Sequence, residues 1–259
     1  MAVCGVLGDI HGNVEALAAV LAALERRGVE RLLCLGDIVG YNADPDECVE
    51  MLRRRGALSI AGNHDLISIG RLDFRRCSGK ARYALKRTRR VLGAPSAAYL
   101  AALPPHTVPE EGVVLVHGGV RDVQQYLRTP QHILQNAALL RADFPAARLC
   151  FFGHSHEQRV YEVREGSVRE LPAAPSVTLD PGLLYFVNPG SVDASRKALG
   201  RLAECAVLDT QAWRVEFLRV SYDAGATEAK AAAFGYRIPP WAEHLHTARR
   251  RLGRALSRG

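Results

Sequence analysis

Short apolar runs alternate with stretches of helical period through roughly the first 120 residues, which is the pattern of βαβ units building a mostly parallel sheet. Strands are expected at Val3 to Leu7, Arg31 to Leu35, Ala57 to Ala61 and Val113 to Val116. Between them, Val14 to Glu25 repeats apolar residues at helical spacing. Asp46 to Arg55 opens after the Asn42-to-Pro45 turn, with acids in its first turn and arginines in its last, as the helix dipole favours. From Arg148 onward the texture changes to short runs such as RLCFFG, QRVYEVREG, LLYFVN, AECAVLD and WRVEFLRV, separated by Gly, Pro and Asp. That texture predicts meandering or antiparallel strands and a second sheet. The proline-rich LPAAPSVTLDPG reads as a surface loop, and no repeat or linker composition divides the chain.

Composition narrows the class. With 259 residues, 48% of them apolar and 24% charged, the chain is long enough for a full core and reads as one soluble domain. No stretch approaches the length of a membrane helix, so no membrane partner is expected. The opening MAVCGVLGD lacks the basic flank, apolar block and cleavage site of a secretory signal, and a cytoplasmic location is expected. The six cysteines never form a C-x-x-C pair, and most sit in apolar runs, as reduced core residues do.

The net charge of +7 favours anionic partners without selecting nucleic acid over phosphate esters. The basic residues concentrate in Arg71 to Arg90, within a helical insert at about 68–104, and in a C-terminal helix at about 240–257. Each can form an amphipathic helix. Trp241, Leu245, Ala248, Leu252 and Leu256 fall on one stripe of the second.

The chemistry gathers at the ends of runs. GDIHGN carries Asp9 and His11, GDIVGYN carries Asp37, GNHD carries Asn63 and His64, VHGG carries His117, and GHSH carries His154 and His156. Five of the nine histidines therefore follow apolar runs with glycine beside them. Carboxyl ends of strands in an open α/β sheet are where ligands gather, so these ends can converge on one crevice. Imidazole, carboxylate and amide oxygen without thiolate suit Mn, Fe, Zn, Ni or Co, and the donors outnumber what one zinc needs, which argues for two divalent ions.

The order Asp-x-His, Gly-Asp, Gly-Asn-His-Asp, His-Gly, Gly-His-x-His resembles the calcineurin-like metallophosphoesterases. With GYNADPDECV, NPGSV and the closing RVSYD, the chain is similar to their bacterial branch of diadenosine-tetraphosphatase-related and YfcE-like phosphodiesterases. The resemblance implies an α/β fold with a two-sheet β-sandwich core flanked by helices, in four layers ordered αββα. It implies that Asp9, His11 and His156 hold one metal, that Asn63, His117 and His154 hold the other, and that Asp37 bridges them. A metal-bridging hydroxide would then hydrolyse a phosphate ester, most simply a phosphodiester, with His64 as general acid; manganese is one candidate ion. Arg196, as a phosphate clamp, and Asn13 and Tyr41 of the first two blocks are the expected substrate-binding residues.

Two departures stand against the family pattern. The acid that orients the catalytic histidine in related protein phosphatases is replaced by Gly40, which leaves Asp65 or a backbone carbonyl to serve. The family's NPGSVGQPR is NPGSVDASR here, with Asp193 near Arg196. Two further classes compete: a nucleic-acid-processing or nucleic-acid-binding protein, supported by the arginines, and a non-catalytic scaffold of the same fold. The scaffold has no reason to retain His64 beside every metal ligand.

Overall fold

The computed structural model describes residues 3–172, 174–194 and 201–238; Arg196 and the expected C-terminal helix lie outside them. Among the described residues, one sheet comprises β1 (Val3–Leu7), β2 (Arg31–Cys34), β3 (Leu58–Ser59), β9 (Ser176–Thr178), β11 (Ala203–Asp209) and β12 (Arg214–Val220), in the order β3-β2-β1-β11-β12-β9. The other comprises β4 (His106–Glu110), β5 (Val113–Val116), β6 (Leu149–Phe151), β7 (Arg159–Arg164), β8 (Ser167–Glu170) and β10 (Leu184–Asn188), in the order β4-β5-β6-β10-β7-β8. β1, β2 and β3 run parallel, as do β5, β6 and β10, while the remaining pairings are antiparallel.

The period of two along the runs explains the layering. Cys4 and Val6 of β1, Leu33 of β2, Leu115 of β5 and Leu149 and Phe151 of β6 pack together between the sheets. Their neighbours face outward: Leu7 and Cys34 pack under Leu17, Val20 and Leu24 of α1 (Val14–Glu25) and Leu52 of α2 (Pro45–Arg54). Val114, Val116, Cys150 and Phe152 pack under Ile133, Ala137 and Leu140 of α6 (Pro130–Asp143). Both faces are covered, so these strands are apolar along nearly their whole length, Arg31 at the start of β2 being the exception. The result is helix, sheet, sheet, helix.

Chain order does not divide the sheets as the change of texture suggested. β4 and β5 of the first half join the second sheet, while β9, β11 and β12 return to the first. A run buried on both faces carries no mark of which sheet it joins. α3 (Asn63–Ser68), α4 (Gly79–Val91), α5 (Ala94–Ala102) and α7 (Ala224–Ala233) complete the described helices. α4 begins only at Gly79, because Ser78 caps it by accepting the Ala81 N–H at 3.1 Å. Arg71, Arg75 and Arg76 therefore lie in the preceding loop and not on a helix. No described helix is long and apolar enough to cross a membrane.

Candidate metal centre

Every block ends a strand. Asp9 follows β1, Asp37 follows β2, Asn63 opens α3 after β3, His117 follows β5, and His154 and His156 follow β6. The carboxyl ends of parallel strands from both sheets thus meet at one seam. Backbone bonds fix the turns there: the Asp9 N–H donates to Gly36 O at 3.0 Å, those of Ile10 and His11 to Asp37 O at 2.8 and 2.9 Å, and that of Gly12 to Ile38 O at 2.8 Å.

Six described residues other than glycine have positive φ: Asp9 (52°), His11 (55°), Asp37 (52°), His154 (63°), His156 (62°) and Trp213 (46°). All but Trp213 are candidate ligands. Such backbone costs of order 1–3 kcal/mol per residue and persists where the surroundings over-determine it. Here it aims side chains inward from loops only a few residues long.

The donor atoms fall into two groups. Asp9 Oδ1 lies 3.4 Å from His156 Nε2 and 4.0 Å from His11 Nε2, and the two imidazole nitrogens are 3.2 Å apart. On the other side, His117 Nε2 lies 3.0 Å from Asn63 Oδ1 and 3.4 Å from Asp37 Oδ2, with His154 completing that group. Asp37 Oδ2 is also 3.8 Å from His11 Nε2, so one carboxylate faces both groups. His64 lies within similar reach of His11 and Asp37.

The chemistry of these donors fits cations. His117 Nδ1 sits 2.7 Å from Leu35 O, which can only accept, so Nδ1 carries a proton. In the neutral ring, the Nε2 lone pair then points at Asn63 Oδ1 and Asp37 Oδ2, two further electron-rich atoms. A metal ion, or a second proton on the ring, relieves that meeting. Without metal the proton does so: burial opposes charging His117, but the adjacent Asp37 carboxylate outweighs it and lifts the pKa to about 9. Burial would likewise raise Asp37, yet the surrounding imidazoles of His117, His64 and His11 hold it well below the usual carboxylate range.

The open questions around His64 have a structural answer. The Asp65 carboxylate is engaged by backbone, accepting the N–H groups of Gly62 (2.9 Å), Ile38 (2.9 Å) and Val39 (3.1 Å) and stapling the second block to the third. Gly40, at φ 144°, presses against the ring instead: a Cβ there would lie 2.5 Å from His64 Nδ1. Tyr41 packs its ring against both His11 and His64, with centroids 4.8 Å apart in each case.

An open cavity of about 730 Å³ fronts this cluster, lined at its base by Asp37, Asn63, His64, His154 and His156. Tyr41 also lines it. Asn13 is fully buried behind it, caps α1 by accepting the Ala16 N–H at 3.0 Å, and donates to Asp193 Oδ1 at 2.9 Å. Asp193 is buried in the same network and accepts from that amide. Sequence reasoning missed Gln124, Tyr126, Lys80, Glu228 and Arg237 of the cavity wall. Tyr126 stacks on His154 with centroids 4.0 Å apart, yet no local motif marks it.

Comparison with known proteins points the same way. Residues 1–212 match the calcineurin-like phosphoesterase superfamily domain, and the chain belongs to that superfamily. The uncharacterized protein MJ0912 of Methanocaldococcus jannaschii is 32% identical over 241 residues, 91% of this chain and 93% of the relative. A crystal structure of a metallophosphoesterase from Sphaerobacter thermophilus superposes with a TM-score of 0.73 at 32% identity, covering 93% of this chain and 96% of that one. The hypothetical protein PH1004 of Pyrococcus horikoshii has the same fold, with a TM-score of 0.70 at 21% identity over 93% of this chain and 96% of its own.

Proposed function

We propose that the chain is a metal-dependent phosphodiesterase in which Asp9, His11 and His156 hold one divalent ion, Asn63, His117 and His154 hold a second, and Asp37 serves both. The observation that carries this reading is the convergence of His117 Nε2 on Asn63 Oδ1 at 3.0 Å and Asp37 Oδ2 at 3.4 Å while its Nδ1 faces Leu35 O, an arrangement of electron-rich atoms that suits a cation. Two such ions supply Lewis-acid activation of water and of the phosphoryl oxygens when bound. Manganese is the first ion to test, and reduced thiols (six free cysteines) agree with a cytoplasmic location.

The chain's own groups carry the rest. Asp37, held ionised by the imidazoles around it, keeps negative charge between the two groups of donors. His64 lines the cavity, and with its Nδ1 edge turned to Gly40 it delivers a proton from Nε2 to the departing oxygen. Tyr41 stands at the same mouth to meet the substrate. The cavity has room for an ester arm on either side of the scissile phosphorus, which favours diesters over monoesters. Nucleic acid is a weaker candidate substrate, since Arg76 pairs with Asp122, Arg75 with Asp73, Arg82 donates to Phe74 O and Arg89 donates to Ile67 O.

The test strips metal and returns one ion at a time before offering bis(p-nitrophenyl) phosphate, p-nitrophenyl phosphate, a cyclic nucleotide and a dinucleoside polyphosphate. Diester hydrolysis restored by metal is expected. In Asp37→Ala, elemental analysis should find both ions depleted. No hydrolysis with any ion, or two ions retained by that variant, would overturn the reading.

A further inference from the structure

The cavity extends well beyond what one phosphoryl group fills, and its charges are unevenly spent. Three cationic side chains line it: Arg76, Lys80 and Arg237. Arg76 gives two N–H bonds to the Asp122 carboxylate, at 2.9 and 2.8 Å, and a third to Gln124 O at 2.8 Å. Arg237 grips both oxygens of Glu228 at 2.8 Å, and its remaining N–H groups hold Tyr41 O and Asn42 Oδ1 at 2.9 Å. Lys80 stands exposed in the first turn of α4, which contains no acid, and has no acidic partner among the described residues. Beyond the metal cluster, the one charged side chain of the cavity wall without an opposite partner among the described residues is therefore cationic and exposed.

We propose that Lys80 receives a second phosphate of the substrate, so that the substrate is a phosphoester bearing a further phosphate beyond the scissile one. The inference rests on the phosphoesterase reading of the metal centre. A diester with two uncharged arms would leave Lys80 idle. The two arginines could serve a second phosphate only by abandoning carboxylates they already hold. An ammonium on a flexible stem is a point charge suited to a phosphate whose position the rest of the cavity fixes. Because Lys80 is solvated, its contribution must weaken with salt.

The test is calorimetric titration of the metal-loaded full chain at low salt with adenosine 5′-monophosphate, adenosine 5′-diphosphate and adenosine 3′,5′-bisphosphate. The wild type should bind at least one of the two doubly phosphorylated probes about three- to tenfold more tightly than the monophosphate, the scale of a partly solvated ion pair. Lys80→Ala should lose that preference, Lys80→Arg should keep most of it, and high salt should erase it. A wild type without preference, or Lys80→Ala that retains it, overturns the proposal. Metal content and wild-type hydrolysis of bis(p-nitrophenyl) phosphate, read on the same preparations, separate the two claims. A Lys80-dependent preference in a chain that hydrolyses nothing upholds the phosphate site and refutes the phosphoesterase reading, whereas hydrolysis without such a preference refutes only the site.

Discussion

Replacing Gly40 by alanine tests how tightly the loop after Asp37 is fitted to the rings it covers. The backbone there has φ 144°, and an added Cβ would stand 2.5 Å from His64 Nδ1 and 3.0 Å from His11 Nδ1. The backbone strain alone costs about 1–3 kcal/mol. The contact adds to it, because His64 cannot swing aside freely: its ring centroid is 4.6 Å from that of His11 and 4.8 Å from that of Tyr41. The loop cannot withdraw easily either, since the buried Thr88 hydroxyl donates to Gly40 O at 2.9 Å and the Asn42 N–H donates to His11 O at 2.8 Å. At about 2–4 °C per kcal/mol for a domain of this size, the strain alone should lower the melting temperature by roughly 2–12 °C, and the contact should lower it further than in a variant that carries strain without it. A displacement of His64 approaching 1 Å should lower kcat by about 100-fold. Gly70→Ala is the internal control, for Gly70 has φ 81° and nothing within 4 Å of its Cβ position, so it carries backbone strain without the contact. Thermal unfolding and steady-state kinetics on both variants decide. If Gly40→Ala were as stable as Gly70→Ala and turned over at the wild-type rate, Gly40 would not be holding His64.

Other perturbations follow from the same geometry. His64→Ala should retain both metals and lose about 10²–10⁴-fold in kcat on an unactivated diester, with a much smaller loss on a p-nitrophenyl ester whose leaving group needs no proton; equal losses on both would remove His64 from proton transfer. In metal-free protein, the His117 pKa of about 9 against its ordinary 6.5 means that its stabilisation is complete below pH 6.5 and is lost as pH rises through 9. Melting followed against pH, with and without chelator, should show that decline only in the stripped sample. Asp65→Asn turns a donor toward backbone N–H groups and should cost about 1–3 kcal/mol in chemical denaturation. Arg237→Ala removes the hydrogen bonds to Tyr41 O and Asn42 Oδ1 and should lower kcat severalfold with little loss of metal; Arg237→Lys should recover little, because an ammonium lacks the guanidinium fork.

What could be read in the chain was local. Asp9, Asp37 and His117 each stand beside a glycine directly after an apolar run, and a strand that ends in such a turn presents its polar residue whatever the rest of the fold does. The pairing of runs into sheets was not local. Val113 to Val116 and Val3 to Leu7 look alike in sequence, yet they stack on opposite sides of one core layer. Asn13 shows a signal with two readings: an asparagine immediately before a helical run is also a favoured N-cap, and its side chain caps α1. The cavity wall had no signal to weigh, because Gln124, Tyr126, Glu228 and Arg237 come from segments without glycine-flanked motifs. Glu228 and Arg237 lie beyond the stretch that matches the superfamily domain.

The same apolar layer that makes the sandwich also sets the imidazoles. Leu35 buries its side chain between the sheets with Leu115 and Phe151, and its carbonyl, turned outward at the strand end, fixes the proton on His117. Asp9 works across the seam in the other direction: its Oδ2 accepts the His154 N–H at 2.9 Å, while its carbonyl accepts the Ser191 hydroxyl at 3.0 Å. A candidate ligand of the first sheet thereby positions a loop of candidate ligands in the second. The groups Asp9-His11-His156 and Asp37-His117-His154 each draw on both sheets, since Asp9, His11 and Asp37 follow strands of one and His117, His154 and His156 follow strands of the other. Cations bound at the seam would therefore tie the two halves of the core together, and their binding free energy would become free energy of sheet packing. Buried acids, crowded imidazoles and left-handed turns would each destabilise a site without a cation, and all three occur where the two sheets meet.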